Sequence, residues 1–141
     1  MSKESSCIFC KIAAGDIPCL KIYENEAVLS FLDIGPLADG HLLIIPRQHH
    51  VRMEDVPPET LAQMWRVAPR LAKAMLQVTR APGYNVLQNN GKEAGQEVQH
   101  VHFHLIPRFE GDGLGYRWNP KKYEEGRGED LQKQITEALE V

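Results

Sequence analysis

Short strand-like runs dominate the first third of the chain. Leu20-Lys-Ile-Tyr-Glu24 alternates apolar and polar side chains, the pattern of a half-buried strand. Asn25-Glu26 is a turn, and Ala27-Val-Leu-Ser-Phe-Leu-Asp33 predicts a second strand. Before them, residues 7–14 predict a short helix stopped at Gly15, with Ile17-Pro18 as its exit. After them, Gly35 to Gly40 is a loop rich in turn residues. His41-Leu-Leu-Ile-Ile-Pro46 is nearly all apolar, so it predicts a third strand buried on both faces and ended by Pro46. The period then changes. From Pro57-Pro58-Glu59, the residues Leu61, Met64, Trp65, Ala68, Leu71, Ala72, Met75 and Leu76 recur at helical spacing. One helix over 58–80 fits them, with a kink at Pro69 and a stop at Pro82-Gly83. Tyr84 to Asn89 predicts a strand, Asn90-Gly91 a tight turn, Lys92 to Gln96 a polar loop, and 98–107 a last strand.

Beyond Arg108 the texture changes. Gly111, Gly113 and Gly115 interrupt it, and Lys121 to Asp130 is strongly charged. Residues 129–141 predict a short terminal helix with Leu131, Ile135, Ala138 and Leu139 inward. Lys121, Lys122 and Arg127 read as a solvated tail, and Trp118 as a ring placed over a neighbouring pocket. Strands grouped around one long helix predict an α+β fold with a largely antiparallel sheet. The domain covers 1–110, and 111–141 is a C-terminal extension packed on or near it.

The last strand carries the most unusual pattern. In Gln99-His100-Val-His102-Phe-His104-Leu-Ile-Pro107, three of the chain's six histidines stand at alternate positions. Strand side chains alternate between faces, so His100, His102 and His104 share one face and Val101, Phe103 and Leu105 the other. A row of imidazoles is a poor core, because each ring has two polar nitrogens needing partners. Either the row simply faces solvent, or it supplies a nucleophile, an acid/base group or a metal ligand near neutral pH.

Composition narrows the setting. The 141 residues are 43% hydrophobic and 25% charged, as in an ordinary globular domain. Net charge is −3, which does not favour nucleic acid, although local donors can still bind a small nucleotide. No apolar run approaches 18 residues, so no membrane span is expected, and Met1-Ser-Lys-Glu-Ser-Ser leads into no signal segment. Three cysteines make no disulfide framework, so a reduced, cytoplasmic setting is expected.

Two further clusters bear on chemistry. Asn89-Asn-Gly-Lys-Glu-Ala-Gly95-Gln96-Glu97 feeds directly into the histidines. Glycines expose backbone N–H groups, and Asn89 and Gln96 add amide donors, as an anion site needs. A plain hairpin loop explains the same composition. Cys7-Ile-Phe-Cys10 has three readings: a redox pair, which lacks a strand-to-helix context; an accident; or half of a zinc site needing two more ligands. Cys19 has no partner.

Gly95-Gln-x-Val-x-His-x-His-x-His104 resembles the signature of the histidine triad (HIT) family. The resemblance extends to Phe31-Leu-Asp33, Gly40-His-Leu-Leu-Ile-Ile-Pro46 and His49, most of residues 7–109. It implies an α+β fold with a five-stranded sheet, commonly a two-fold homodimer. It also implies hydrolysis or transfer at the α-phosphate of a purine nucleotide. His102 would be the nucleophile, His104 would steady the phosphate, and His41 would support the site. Asp33 would hold the ribose, although a strand-ending turn residue explains it equally. Asn89, Gly95 and Gln96 would hold phosphate oxygens; Phe31 or Leu32, with Ile8 or Phe9, would wall the base. In some relatives a Cys-x-x-Cys, a mid-chain His and the first triad His bind zinc. Here these are Cys7, Cys10, His49 and His100, one structural zinc per chain, with His50 the adjacent alternative.

The chain departs from the family at Glu97, where many relatives carry Ser or Thr. A neutral Glu97 would protonate a leaving amine, an ionised one would repel substrate, and one turned to solvent would do neither. The expected substrate is a nucleoside 5'-phosphoramidate of the AMP–amine type. A dinucleoside polyphosphate, such as a diadenosine polyphosphate, is the alternative. A nucleotide-binding interaction module with incidental catalysis is the reading from another class.

Overall fold

The computed structural model describes residues 4–115 and 120–139. Five strands form one antiparallel sheet: β1 (Lys21–Glu24), β2 (Val28–Leu32), β3 (Leu42–Pro46), β4 (Gly83–Gln88) and β5 (Phe103–Arg108), in the order β1-β2-β3-β5-β4. Three α-helices accompany it: α1 (Ile8–Ala13), α2 (Pro58–Thr79) and α3 (Arg127–Ala138). This is the α+β architecture expected, and no helix of the described residues is long and apolar enough to cross a membrane.

The hairpin follows from its turn residue. Asn25 Oδ1 accepts from the N–H groups of Ala27 and Val28, at 2.9 and 2.8 Å, which folds β2 back on β1. Arg47 then ties the hairpin and the end of the first helix to the end of β3, donating to Asn25 O, Glu24 Oε2 and Ala13 O. As its composition predicts, β3 is buried along its whole length.

The two faces of the sheet have separate cores. Directly opposed residues in a ladder share a face. Val28, Leu42, Ile44, Phe103 and Leu105 pack against Met64, Val67, Ala68, Leu71, Ala72 and Met75 of α2. Leu29, Phe31, Leu43 and Ile45 face the other way and pack with Cys7, Phe9 and Cys10 at α1. The ladder pairs Phe31 with Leu43, Leu43 with His104, and His104 with Leu87. The histidines therefore lie on the face that the long helix leaves uncovered.

Three expectations are corrected. The histidine strand begins at Phe103, because both flanking ladders end there: Ile44 pairs with Phe103 on one side and Gln88 on the other. His100 and His102 precede the ladder, where Val101 N–H instead bonds His50 O at 2.7 Å. Residues 92–94, expected as open loop, form a single-turn helix, Lys92–Ala94. The apolar stripe of α3 is not inward: none of its residues is buried, and Ile135 and Leu139 are 63% and 64% exposed. The long helix does run through Pro69, which lies on its exposed side. Trp118 lies outside the described residues.

Gly40 governs the approach to β3. Its φ is +93°, and a Cβ there would lie 2.6 Å from Thr79 Cγ2. Thr79 cannot swing away cheaply, because its Oγ1 donates to Met75 O at 2.8 Å. Gly40→Ala should therefore destabilise the fold by about 1–3 kcal/mol, read by chemical denaturation; unchanged stability would contradict this packing.

Candidate active site and metal corner

The site is built where β2 ends and β3 begins, beside the middle of β5. Asp33 follows β2 and His41 precedes β3; the Asp33 N–H donates to His41 O at 3.0 Å, holding the two side by side. His104 lies in β5, opposite Leu43. His41 Nε2 and His104 Nδ1 are 2.8 Å apart, and the His102 and His104 ring centroids 4.9 Å.

Hydrogen bonds assign the tautomer of each ring. Leu37 N–H donates to His41 Nδ1 at 3.0 Å, so a neutral His41 carries its proton on Nε2. That proton is donated to His104 Nδ1, which leaves the His104 proton on Nε2. His102 Nδ1 lies 2.7 Å from His100 O, so Nδ1–H donates and Nε2 keeps its lone pair. His100 Nε2 donates to Pro46 O at 2.8 Å, leaving Nδ1 bare. Burial favours the neutral form throughout. It holds His41 and His102 below the usual imidazole value, and pushes His100 and His104 down to about 4.

A second cluster lies at the other end of the histidine run. His100 Nδ1 is 3.3 Å from Cys7 Sγ, 3.6 Å from Cys10 Sγ and 3.3 Å from His49 Nδ1. His49 Nδ1 is 3.4 Å from Cys10 Sγ. A tetrahedral zinc, with bonds of about 2.3 Å to sulfur and about 2.0–2.1 Å to nitrogen, sets its donor atoms roughly 3.3–3.8 Å apart. The four side chains fit that group. His49, not His50, is the one brought in; His50 contributes its backbone carbonyl to Val101 instead. Burial pushes the Cys7 thiol up, so a cation binding here must displace a proton.

Asp33, His41 and His104 also converge, with Asp33 Oδ2 3.6 Å from His41 Nε2. This group is not a second cation cage. The Leu37 N–H forces the His41 proton onto the nitrogen that faces the other two donors. Asp33 serves two purposes: Oδ1 closes a turn by accepting from Gly35 N–H at 2.8 Å, while Oδ2 faces the histidines.

The loop before the histidines is braced from inside. Gln96 is buried; its Oε1 accepts from Gly91 N–H, and its Nε2 donates to Val51 O and Val98 O. The N–H groups of Gly95 and Gln96 bond Lys92 O and Gly91 O. Asn89 Nδ2 reaches Gly95 O at 3.4 Å, leaving its second amide hydrogen unspent there. Gly95 has φ +90°, a conformation that favours glycine. Glu97 is exposed on the same loop. Of the expected base wall, Phe31 is buried, Leu32 half-buried on the α2 side, and Ile8 45% exposed. The sequence reading missed the backbone partners, Leu37 and Pro46, since no side-chain pattern marks an N–H or a carbonyl.

A sheet presenting neutral, tautomer-fixed imidazoles beside a Cys/His corner defines a histidine-based group-transfer site. The chain belongs to the HIT family, whose domain model matches residues 14–111. It is 47% identical over 138 residues to adenosine 5'-monophosphoramidase HNT1 of Saccharomyces cerevisiae, covering 97% of this chain and 85% of that one. A HIT family structure from Bacillus subtilis superposes with TM-score 0.91 at 40% identity, over 98% and 99% of the two chains. A zinc-bound histidine triad protein from Mycobacterium smegmatis gives TM-score 0.74 at 43% identity, over 95% and 98%.

The His104 shift has a sign. The unfolded ring binds a proton near 6.5 and the folded ring only near 4, so acid favours the unfolded chain. The contribution is intact above the unfolded value and is lost as pH falls through the folded one. The denaturation midpoint should therefore drop between those values, while the His104 ring carbon shifts stay neutral until the lower one. A ring titrating at its ordinary value would contradict the assignment.

Proposed function

We propose that this chain cleaves nucleoside 5'-phosphoramidates of the AMP–amine type, through a nucleotidyl-histidine on His102. The observation that carries the reading is the His102 Nδ1–H bond to His100 O at 2.7 Å, which leaves Nε2 bare for attack. The yeast relative, named for this class of reaction, supports it.

The steps follow from the assigned protons. The His102 Nε2 lone pair attacks the α-phosphorus, the P–N bond breaks, and the amine leaves with a proton. His104 Nε2–H, aligned through His41, donates to a non-bridging oxygen and stabilises its growing charge. Asp33 Oδ2 accepts from the ribose hydroxyls. Asn89 donates to the phosphate, while Gly95 and Gln96 hold the loop in shape. Ile8 borders the base, and Phe31, buried against Phe9, backs that wall from inside. Water then attacks the nucleotidyl-His102, releasing the nucleoside monophosphate and restoring the neutral ring. Glu97, exposed to solvent on this loop, modulates the first step by relaying a solvent proton to the leaving amine.

Two rate comparisons test this. The parent should hydrolyse an AMP–amine conjugate faster than a diadenosine polyphosphate, and His102→Ala should lose about a thousandfold or more on the conjugate. Glu97→Gln should slow the amidate and spare the polyphosphate. Equal rates for parent and His102→Ala would sink the enzyme reading and leave a nucleotide-binding module.

Cys7, Cys10, His49 and His100 would hold one structural zinc, which when bound supplies a closed four-ligand clamp between the N-terminal segment and the sheet. We also assign the chain to a two-fold homodimer. The edge strand β4, with Tyr84 40% and Val86 42% exposed, supports this. Purified protein should carry about one zinc per chain at twice the 16.0 kDa chain mass by light scattering. His49→Ala should lose the metal and His50→Ala keep it. Loss from His50→Ala alone would refute the assignment.

A further inference from the structure

We propose that Phe9 is a positioning residue for the nucleophile, holding the His102 ring in place and tying it to the Cys/His corner. This rests on the reading of His102 as the nucleophile. The bond from His102 Nδ1 to His100 O fixes the tautomer, but one hydrogen bond leaves an imidazole free to rock about it. Ring contacts must supply the rest. Among the described residues two rings abut His102: His104, itself held by His41, and Phe9 at 5.1 Å between centroids and 89° between planes.

Phe9 also touches the corner. Its ring lies 5.8 Å from His100 at 76°, and 5.6 Å from Phe31 at 74°. In sequence it stands between Cys7 and Cys10, the two thiols that reach His100 and His49. Its helix α1 has only six residues, far below the roughly 12–15 that an isolated helix needs. Its placement therefore depends on tertiary anchors: the corner, the Arg47 bond to Ala13 O, and the packing of Phe9 itself. Whatever closes the corner also sets where Phe9 meets the nucleophile. A base-stacking role fits less well, because Phe9 is 7% exposed and three rings already surround it.

The first test needs no substrate. In nucleotide-free protein carrying carbon-13-labelled histidine, NMR relaxation should report an ordered His102 ring, and a mobile one in Phe9→Ala. The second is single-turnover nucleotidyl transfer from an AMP–amine conjugate. Phe9→Ala should slow it about tenfold or more, with KM within about twofold and metal content unchanged. Phe9→Leu, which keeps an apolar side chain of similar volume, should slow it in the same direction and serves if the alanine variant does not fold. His49→Ala should slow transfer as well, and adding Phe9→Ala to it should cost little more, since both act through one contact. A raised KM with unchanged transfer would make Phe9 a base wall and overturn the proposal. Unchanged ring order, parental transfer in Phe9→Leu, or fully multiplicative losses in the double variant would also overturn it. A parent that fails to cleave the conjugate defeats the functional reading alone, because ring order is measured without it.

Discussion

Four protons decide what this molecule can do, and the backbone places three of them. Pro46 O takes one from His100, His100 O takes one from His102, and Leu37 N–H dictates the nitrogen on which His41 keeps its own. The fourth, on His104, follows from His41. Backbone groups cannot change rotamer, so each ring is committed before any ligand arrives. One imidazole then offers a lone pair, one offers a donor, and one offers a bare nitrogen to the corner. Burial keeps all of them neutral, and neutrality is what the three roles have in common.

The sheet makes this arrangement possible. Its long helix covers one face and leaves the other for the histidines, while β3, buried end to end, supplies a rigid floor. The register that pairs Leu43 with His104 also brings His41 within reach of that ring. A shift of one residue would turn His104 into the α2 core and leave the site without its donor.

Much of this was legible in the sequence. The apolar runs at 27–33 and 41–46, the helical period from Leu61 to Leu76 and the Cys-x-x-Cys with two distant histidines each state a local rule. What escaped depended on partners remote in the chain. His100 leaves the strand because the ladders on both sides stop at Phe103, which no pattern in residues 98–107 reveals. Gln96 looks like a surface donor but is a buried brace, because its partner Val51 lies 45 residues away in the chain. In sequence only the family resemblance favours His49 over His50; the fold separates them by bringing His49 Nδ1 to 3.4 Å from Cys10 Sγ. The stripe on α3 has helical period, yet period alone does not say whether a surface awaits it.

On this reading the substrate undergoes two displacements at phosphorus, the first made by one nitrogen and the second releasing it. Stereochemistry at phosphorus tests it most directly. An AMP–amine conjugate made chiral at phosphorus with oxygen isotopes, hydrolysed in labelled water, yields a product whose configuration counts the displacements. Two in-line steps through His102 invert twice, so the account predicts net retention. Net inversion would mean that water attacks directly, and would contradict the role given to His102.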